Sequence, residues 1–298
     1  MEPIFDFQAA VVGGDSRQIA VAGALTHLFK NVKIFGHPQE KVSGFLEYVA
    51  SLNEAVANTK IIVLPIGGMN REGLVRSYQG EAFIDFGKLL PELNSGTLLV
   101  TGSLSNNWLQ LAESLNLKVI QYADDDEIAI LNSIPTAEGT LQLVMENTPI
   151  TIHGSRVVII GFGRVGVTLA RNFQALGAEV IVTARRRSAL ARATEMGFIS
   201  ILTEFLPEKV GTVDVIINTV PAMIIDSQLI TKLQPDTLII DLASPPGGTD
   251  FEAAKALNIK AILAPGLPGL VAPKTAGAIL ADILPKLIVD FINKGGAA

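Results

Sequence analysis

From Arg156 to Ala170 the chain runs four apolar residues, Val157-Val-Ile-Ile160, straight into Gly161-Phe162-Gly163-Arg164-Val165-Gly166. Val167-Thr-Leu-Ala follows. Few backbones accommodate that order. The apolar run makes a buried strand, the glycines a tight turn, and the spacing after them a helix. Gly161 permits the bend, Gly163 lets another group approach the backbone, and Gly166 lets helix and strand pack closely. The free N–H groups and the positive end of the helix dipole then favour phosphate. Without its strand–turn–helix setting the glycine pattern says little. Within it, all six residues from Gly161 to Gly166 read as the pyrophosphate turn of a dinucleotide site.

The next strand, Glu179–Ala184, carries Thr183 near its end and runs into Arg185-Arg186-Arg187. A chain choosing NAD usually places Asp or Glu here, to bond the ribose 2′-OH. A guanidinium instead pairs with a 2′-phosphate through two hydrogen bonds, and an acid would repel that phosphate. The sequence therefore favours NADP over NAD, with Arg185 and Arg186 at the phosphate. The competing reading is a solvated basic turn before a helix over 188–196.

Composition narrows the class. A chain of 298 residues, 49% hydrophobic, suggests two domains with a core each. Only 17% of residues are charged, which fits a surface partly covered in a homo-oligomer. The net charge of −6 argues against general nucleic-acid binding. With no cysteine there are no disulfides, thiolate nucleophiles or cysteine-ligated metals. His27, His37 and His153 lack metal-ligand spacing, so no metal site is expected. His153 reads as a turn or packing residue. The acidic start Met1-Glu-Pro-Ile-Phe-Asp lacks a secretory n-region, and no apolar run approaches the roughly 20 residues that span a bilayer. The expectation is a soluble cytoplasmic protein.

The second half predicts strands over 156–160, 179–184, 199–202, 213–220, 237–243 and 260–264. Helical patterns fall between them over 167–176, 188–196, 225–233 and 250–257. Such alternation indicates a parallel sheet covered on both faces, with strand order 3-2-1-4-5-6. The first half also alternates, with strands over 9–12, 33–35, 60–64, 97–101 and 118–121 and helices over 17–29 and 106–115. Its Gly13-Gly14-Asp15-Ser16 turn lacks the full glycine pattern and reads as structural or substrate-facing. The fold class is thus α/β, with two α/β domains of which the second is a Rossmann doubly wound parallel sheet. The expected boundaries are 1–131 for a substrate domain and 132–298 for a linker helix, the Rossmann domain and a C-terminal helix. Pro135 is expected in the first turn of the linker helix. The helix over 274–292 is expected, by architectural analogy, to cross back to the first domain. The tail from Lys294 to Ala298 is expected to fray.

Ligands of open α/β sheets collect at the carboxyl ends of the strands. The predicted fourth strand ends in Asn218-Thr219-Val220-Pro221 and the fifth in Asp241-Leu-Ala243-Ser244-Pro245-Pro246-Gly247-Gly248. Thr219, Val220, Pro221, Ala243 and Ser244 are therefore expected to line the ribose and nicotinamide, although ordinary loop punctuation would look similar. Candidate substrate contacts are Arg17, Ser105 and Asn106 in the first half, and Ser133 and Thr136 at the junction. Arg71 is a further carboxylate clamp. Lys274 stands beside the last glycine-rich loop as a carboxylate or catalytic group. Glu138 is the candidate base, because a carboxylate desolvated at a domain junction has a raised pKa. The run Asp124-Asp125-Asp126-Glu127 reads as a solvated acidic loop.

Long motifs add a resemblance. They are Val12–Arg17, Ile128–Gly139, Thr151–Ser155, Ile217–Pro221, Asp241-Leu-Ala-Ser-Pro-Pro-Gly-Gly-Thr-Asp250 and Ala264-Pro-Gly-Leu-Pro-Gly-Leu-Val-Ala-Pro-Lys-Thr-Ala-Gly277. With these the chain resembles the dipicolinate synthase A-subunit family over nearly its whole length. The resemblance implies an NADP-dependent oxidoreductase of the mother-cell cytoplasm in sporulating bacteria. It would oxidise the cyclic lysine-pathway intermediate, dihydrodipicolinate or its hydrated precursor, to dipicolinate, and would work with a flavoprotein-like B subunit. Arg185–Arg187 is more basic than the family's usual turn, which favours NADP further. A two-domain 2-oxo or amino acid dehydrogenase and a non-catalytic nucleotide-binding subunit stay open. No His–Asp pair is legible to separate them.

Overall fold

The computed structural model describes residues 5–78, 82–244 and 247–295. Pro245 and Pro246, and the last three residues of the expected frayed tail, lie outside the described residues. The chain divides into two compact units, residues 1–131 with 272–298 and residues 132–271.

In the first unit, β1 (Phe5–Val12), β2 (Phe29–Phe35), β3 (Glu47–Tyr48), β4 (Thr59–Val63), β7 (Leu98–Thr101) and β8 (Lys118–Gln121) form a parallel sheet. Its order is β3-β2-β1-β4-β7-β8. A short antiparallel hairpin, β5 (Leu74–Arg76) and β6 (Phe83–Asp85), stands beside it. Strand side chains alternate between faces. Ala9, Val11, Ile61, Val63, Leu98 and Val100 pack with α1 (Ser16–Leu25) and α10 (Pro273–Asn293). Val12, Ile62, Leu64 and Leu99 pack on the other face with α2 (Leu52–Val56) and α3 (Asn106–Ser114).

The helix expected over 17–29 stops at Leu25, because Phe29 begins β2 instead. Phe29 stacks on Phe5 with ring centroids 5.6 Å apart, and burying that ring outweighs one more helical turn.

The second unit repeats the order. β9 (Arg156–Ile160), β10 (Glu179–Ala184), β11 (Ile199–Leu202), β12 (Val215–Asn218), β13 (Leu238–Asp241) and β14 (Lys260–Leu263) lie parallel as β11-β10-β9-β12-β13-β14. Val157, Ile159, Val215 and Ile217 face one layer with α5 (Arg164–Ala175) and Ala137 and Val144 of α4 (Asp126–Asn147). Val158, Ile160, Ile216 and Ile239 face the other, where Leu229 and Ile230 of α7 (Ser227–Ile230) and Ala254 of α8 (Phe251–Ala256) cover them. Apolar residues on both faces are what a covered parallel sheet requires. The remaining helices are α6 (Arg187–Glu195) and α9 (Leu267–Val271). No helix among the described residues is long and apolar enough to cross a membrane.

Two expectations need correction. Pro135 lies inside α4, which starts nine residues earlier, at Asp126. The Thr136 hydroxyl donates to Asn132 O at 2.7 Å, one residue beyond the Leu131 carbonyl that Pro135 leaves without its helical N–H. The acidic run is not a free loop. Asp125 accepts from Ile128 N–H at 3.0 Å, and Asp126 and Glu127 occupy the first turn of α4, where acidic charge meets the positive end of the helix dipole.

Candidate functional site

The glycine turn of the second unit divides its labour as the sequence suggests. Gly161 has φ +96°, and a Cβ there would meet the Thr219 hydroxyl at 2.4 Å. A Cβ on Gly166 would meet Gly161 O at 2.1 Å, so helix and strand touch through backbone. A Cβ on Gly163 would meet nothing within 4 Å. That side of the turn is open, and no side chain caps the N-terminus of α5. The first-turn amides and the helix dipole therefore point at space that fits a pyrophosphate.

The neighbouring side chains are shaped around that opening. Phe162 is buried against Phe198, centroids 5.9 Å apart, so only its backbone can face a ligand. Arg164 is exposed on α5, and Val165 is half-buried against the core. Thr183 is fully buried and bonds the Thr203 hydroxyl at 3.2 Å, while its carbonyl accepts from Gly161 N–H at 2.8 Å. It braces the turn. Arg185, Arg186 and Arg187 are all exposed, and none pairs with an acid or hydrogen-bond acceptor among the described residues. Three adjacent unpaired guanidinium groups at the end of β10 suit a phosphate on the adenosine ribose.

The Thr219 hydroxyl is committed to Ile160 O at 2.8 Å. Val220 is half-buried, Pro221 and Ser244 are exposed, and Ala243 is buried. These residues follow β12 and β13 at the carboxyl edge of the sheet.

In the first unit, the turn after β1 contrasts with this. Gly13 N–H donates to Phe35 O at 2.8 Å and Gly14 N–H to Arg76 O at 2.6 Å. Asp15 fills the N-terminus of α1 by accepting from Arg17 N–H at 3.0 Å. The Gly13, Gly14 and Arg17 amides are thus engaged within the protein, and a side chain fills this helix N-terminus, unlike that of α5. Arg17 is held by the same aspartate, Nε to Oδ1 at 2.9 Å and Nη2 to Oδ2 at 2.7 Å. Burial raises the Asp15 carboxyl, but the bonds and charge of Arg17 outweigh it and hold the group below 3.8. The guanidinium is thereby fixed through its Nε and Nη2.

Lys274 is exposed in the first turn of α10. One turn later, Gly277 packs on α1, where a Cβ would lie 3.2 Å from Arg17 Cα. The fold thus brings Lys274 and Arg17 to the same end of one helix pair. At the carboxyl edge of the same sheet, Ser105 is the half-buried N-cap residue of α3 and Asn106 is exposed beside it. Arg71 is exposed, and its carbonyl accepts from Trp108 Nε1 at 3.2 Å.

Two expectations, Ser133 and Glu138, do not hold in this geometry. Ser133 is 1% exposed, and its hydroxyl lies 2.6 Å from that of Thr168, which makes it a packing residue between α4 and α5. Thr136 is half-buried, and its hydroxyl donates to Asn132 O within the helix while keeping its acceptor lone pairs. Glu138 is exposed on α4, so the burial on which its candidacy as base rested is missing.

Sequence reasoning passed over His37. It is 5% exposed, its Nε2 lies 3.3 Å from Asp15 O, and its ring is 5.6 Å from that of Tyr78. Burial holds its pKa below 6.5. The unfolded chain therefore takes up this proton more readily than the folded one, and stability is lost as pH falls below 6.5 toward the folded value. Denaturant titrations at about pH 7.5 and about pH 5 should show a smaller acid loss for His37→Gln than for the parent; equal losses would remove His37 as the source.

Residues 8–123 match the family model for the N-terminal domain of the dipicolinate synthase A subunit. Residues 136–260 match that for the NAD binding domain of D-isomer specific 2-hydroxyacid dehydrogenases. The A subunit of dipicolinate synthase from Bacillus subtilis (strain 168) is 42% identical over 96% of this chain and 97% of its own. The crystal structure of the dipicolinate synthase A subunit from Bacillus halodurans superposes with a TM-score of 0.89 at 36% identity, over 96% of this chain and 99% of that one. The A chain of the Bacillus subtilis synthase gives 0.86 at 38% identity, over 98% and 99%.

Proposed function

The chain belongs to the dipicolinate synthase A-subunit family, and on that premise we propose that it is the NADP-dependent oxidoreductase component that makes dipicolinate. One observation supports the reading most: Gly163 faces open space at an uncapped helix N-terminus, and three arginines with no partner among the described residues follow the neighbouring strand. The amides of the α5 first turn hold the pyrophosphate. Arg185 and Arg186 pair with the 2′-phosphate, Arg187 adding charge. Thr219, Val220, Pro221, Ala243 and Ser244 line the nicotinamide end. A bound nicotinamide supplies a hydride acceptor, which suits a partly reduced pyridine that loses a hydride and a proton to become aromatic.

Aromatisation drives that oxidation, so the chain's task is mainly to place the ring. Arg17, held rigid by Asp15, binds one substrate carboxylate, and Lys274 contributes positive charge at the same helix end. Ser105 and Asn106 offer hydroxyl and amide groups at the sheet edge. No group is assigned as base. The product belongs to the mother-cell cytoplasm of a sporulating bacterium, and a flavoprotein-like B subunit is the partner.

Three parallel assays test this: this chain by itself, the B subunit by itself and the mixture, each with NADP and the cyclic lysine-pathway intermediate. The mixture is expected to form NADPH and pyridine dicarboxylate in equal amounts. Pyridine dicarboxylate formed at the same rate with NADP omitted would overturn the proposal.

A further inference from the structure

Asp241 is fully buried at the end of an otherwise apolar strand, and the function above leaves it without a task. Four donors converge on its carboxylate. Oδ1 accepts from Asn218 Nδ2 at 2.9 Å and from Ala243 N–H at 3.0 Å. Oδ2 accepts from Gly248 N–H and from the Thr249 hydroxyl, both at 2.7 Å. No lysine or arginine among the described residues pairs with it. A buried carboxylate without a cation is tolerated only when dipoles satisfy it, and here all four partners do.

The carboxylate reaches further through Asn218, its register partner on β12. Asn218 clamps one residue on both sides, since its Oδ1 accepts from Val220 N–H at 3.1 Å and its Nδ2 donates to Val220 O at 3.0 Å. The loops after β12 and β13 are also packed without slack. A Cβ on Gly248 would sit 2.4 Å from Ala222 O, and Ile225 N–H donates to Gly248 O at 2.9 Å. One side chain therefore ties together the Val220 backbone, Ala243 and the segment Gly248–Thr249.

We infer that Asp241 is a positioning residue that sets the loop backbone against which the nicotinamide end of the dinucleotide lies. The inference rests on the cofactor reading given above. It separates the two halves of the ligand. The adenosine phosphates belong to β9 and β10, which Asp241 does not touch, whereas the nicotinamide end belongs to the loops it holds. Asparagine cannot take over. With its oxygen at either position, its NH2 group faces a backbone N–H, of Gly248 or of Ala243, and that donor is left unpaired.

Titration calorimetry of the full chain with NADP+ and with 2′,5′-ADP, which lacks the nicotinamide half, tests this. Asp241→Asn is expected to weaken NADP+ about ten- to a hundredfold and to leave 2′,5′-ADP within about twofold. Should that variant fail to fold, Thr249→Val removes only one donor. It is expected to weaken NADP+ selectively, and Thr249→Ser to restore it. Unchanged NADP+ affinity, or equal losses for both ligands, overturns the positioning role. A parent chain that binds neither ligand overturns the cofactor reading itself, and the positioning role falls with it.

Discussion

Gly163→Ala is expected to leave the protein folded and to remove most of its affinity for a dinucleotide. Gly163 has φ −102° and ψ −157°, an extended conformation open to alanine, and its Cβ would meet nothing within 4 Å among the described residues. The substitution should even stabilise slightly, by about 0.4–1 kcal/mol, because alanine restricts the unfolded chain. The added methyl instead fills the space a pyrophosphate needs. Losing one charge-assisted bond to a first-turn amide costs about 1.5–3 kcal/mol, so affinity should fall roughly ten- to a hundredfold or more. Gly166→Ala is the control with opposite character. Its Cβ would lie 2.1 Å from Gly161 O, and the turn must deform. Overpacking of that kind costs about 1–3 kcal/mol and lowers the melting temperature by several degrees. Thermal melts and calorimetry on both variants give the comparison. A Gly163→Ala protein that binds as tightly as the parent would remove the phosphate from this turn.

The second large effect concerns which dinucleotide is chosen. Arg185→Asp should weaken NADP by roughly ten- to a hundredfold, from about 1.5–3 kcal/mol for one charge-assisted bond, while NAD affinity is spared. The arginine is exposed and pairs with no acid among the described residues, so its loss leaves no buried partner there unsatisfied and should not affect folding. The introduced carboxylate would repel a 2′-phosphate and accept from a 2′-OH. Binding titrations with both nucleotides measure the ratio. A parent chain with equal affinity for the two, or a variant with an unchanged ratio, would take the arginines out of cofactor choice.

Much of the fold was legible because its signals are local and repeated. The runs Val157–Ile160 and Val215–Ile217 are apolar on both faces, as a doubly covered parallel sheet requires, and the turn Gly161–Gly166 marks its first crossover. The elements that escaped are short or depend on distant partners. Glu47–Tyr48 has two residues and no period of its own. The hairpin Leu74–Arg76 with Phe83–Asp85 needs its own pairing to be visible. Pro135 looked like a helix start because proline suits a first helical turn, whereas α4 already begins at Asp126 and runs through it. The site was legible where backbone chemistry decides it, at the glycines and arginines. It was obscure where side-chain burial decides it. Ser133 and Glu138 were chosen by position along the chain, which does not say which side of α4 each occupies. Asp241 carried a usable signal, a lone charge closing the apolar strand Leu238-Ile-Ile. Its meaning needed the four donors that the fold gathers around it.

The proposed site in the second unit would hold a 2′-phosphorylated dinucleotide between its glycine turn and Arg185–Arg187. A crystal of the full chain soaked with NADP tests it most directly. Density for the pyrophosphate is expected over Gly163 at the start of α5, with the 2′-phosphate against the arginines that follow β10. Density for the nucleotide elsewhere in the chain, or none at saturating NADP, would contradict it.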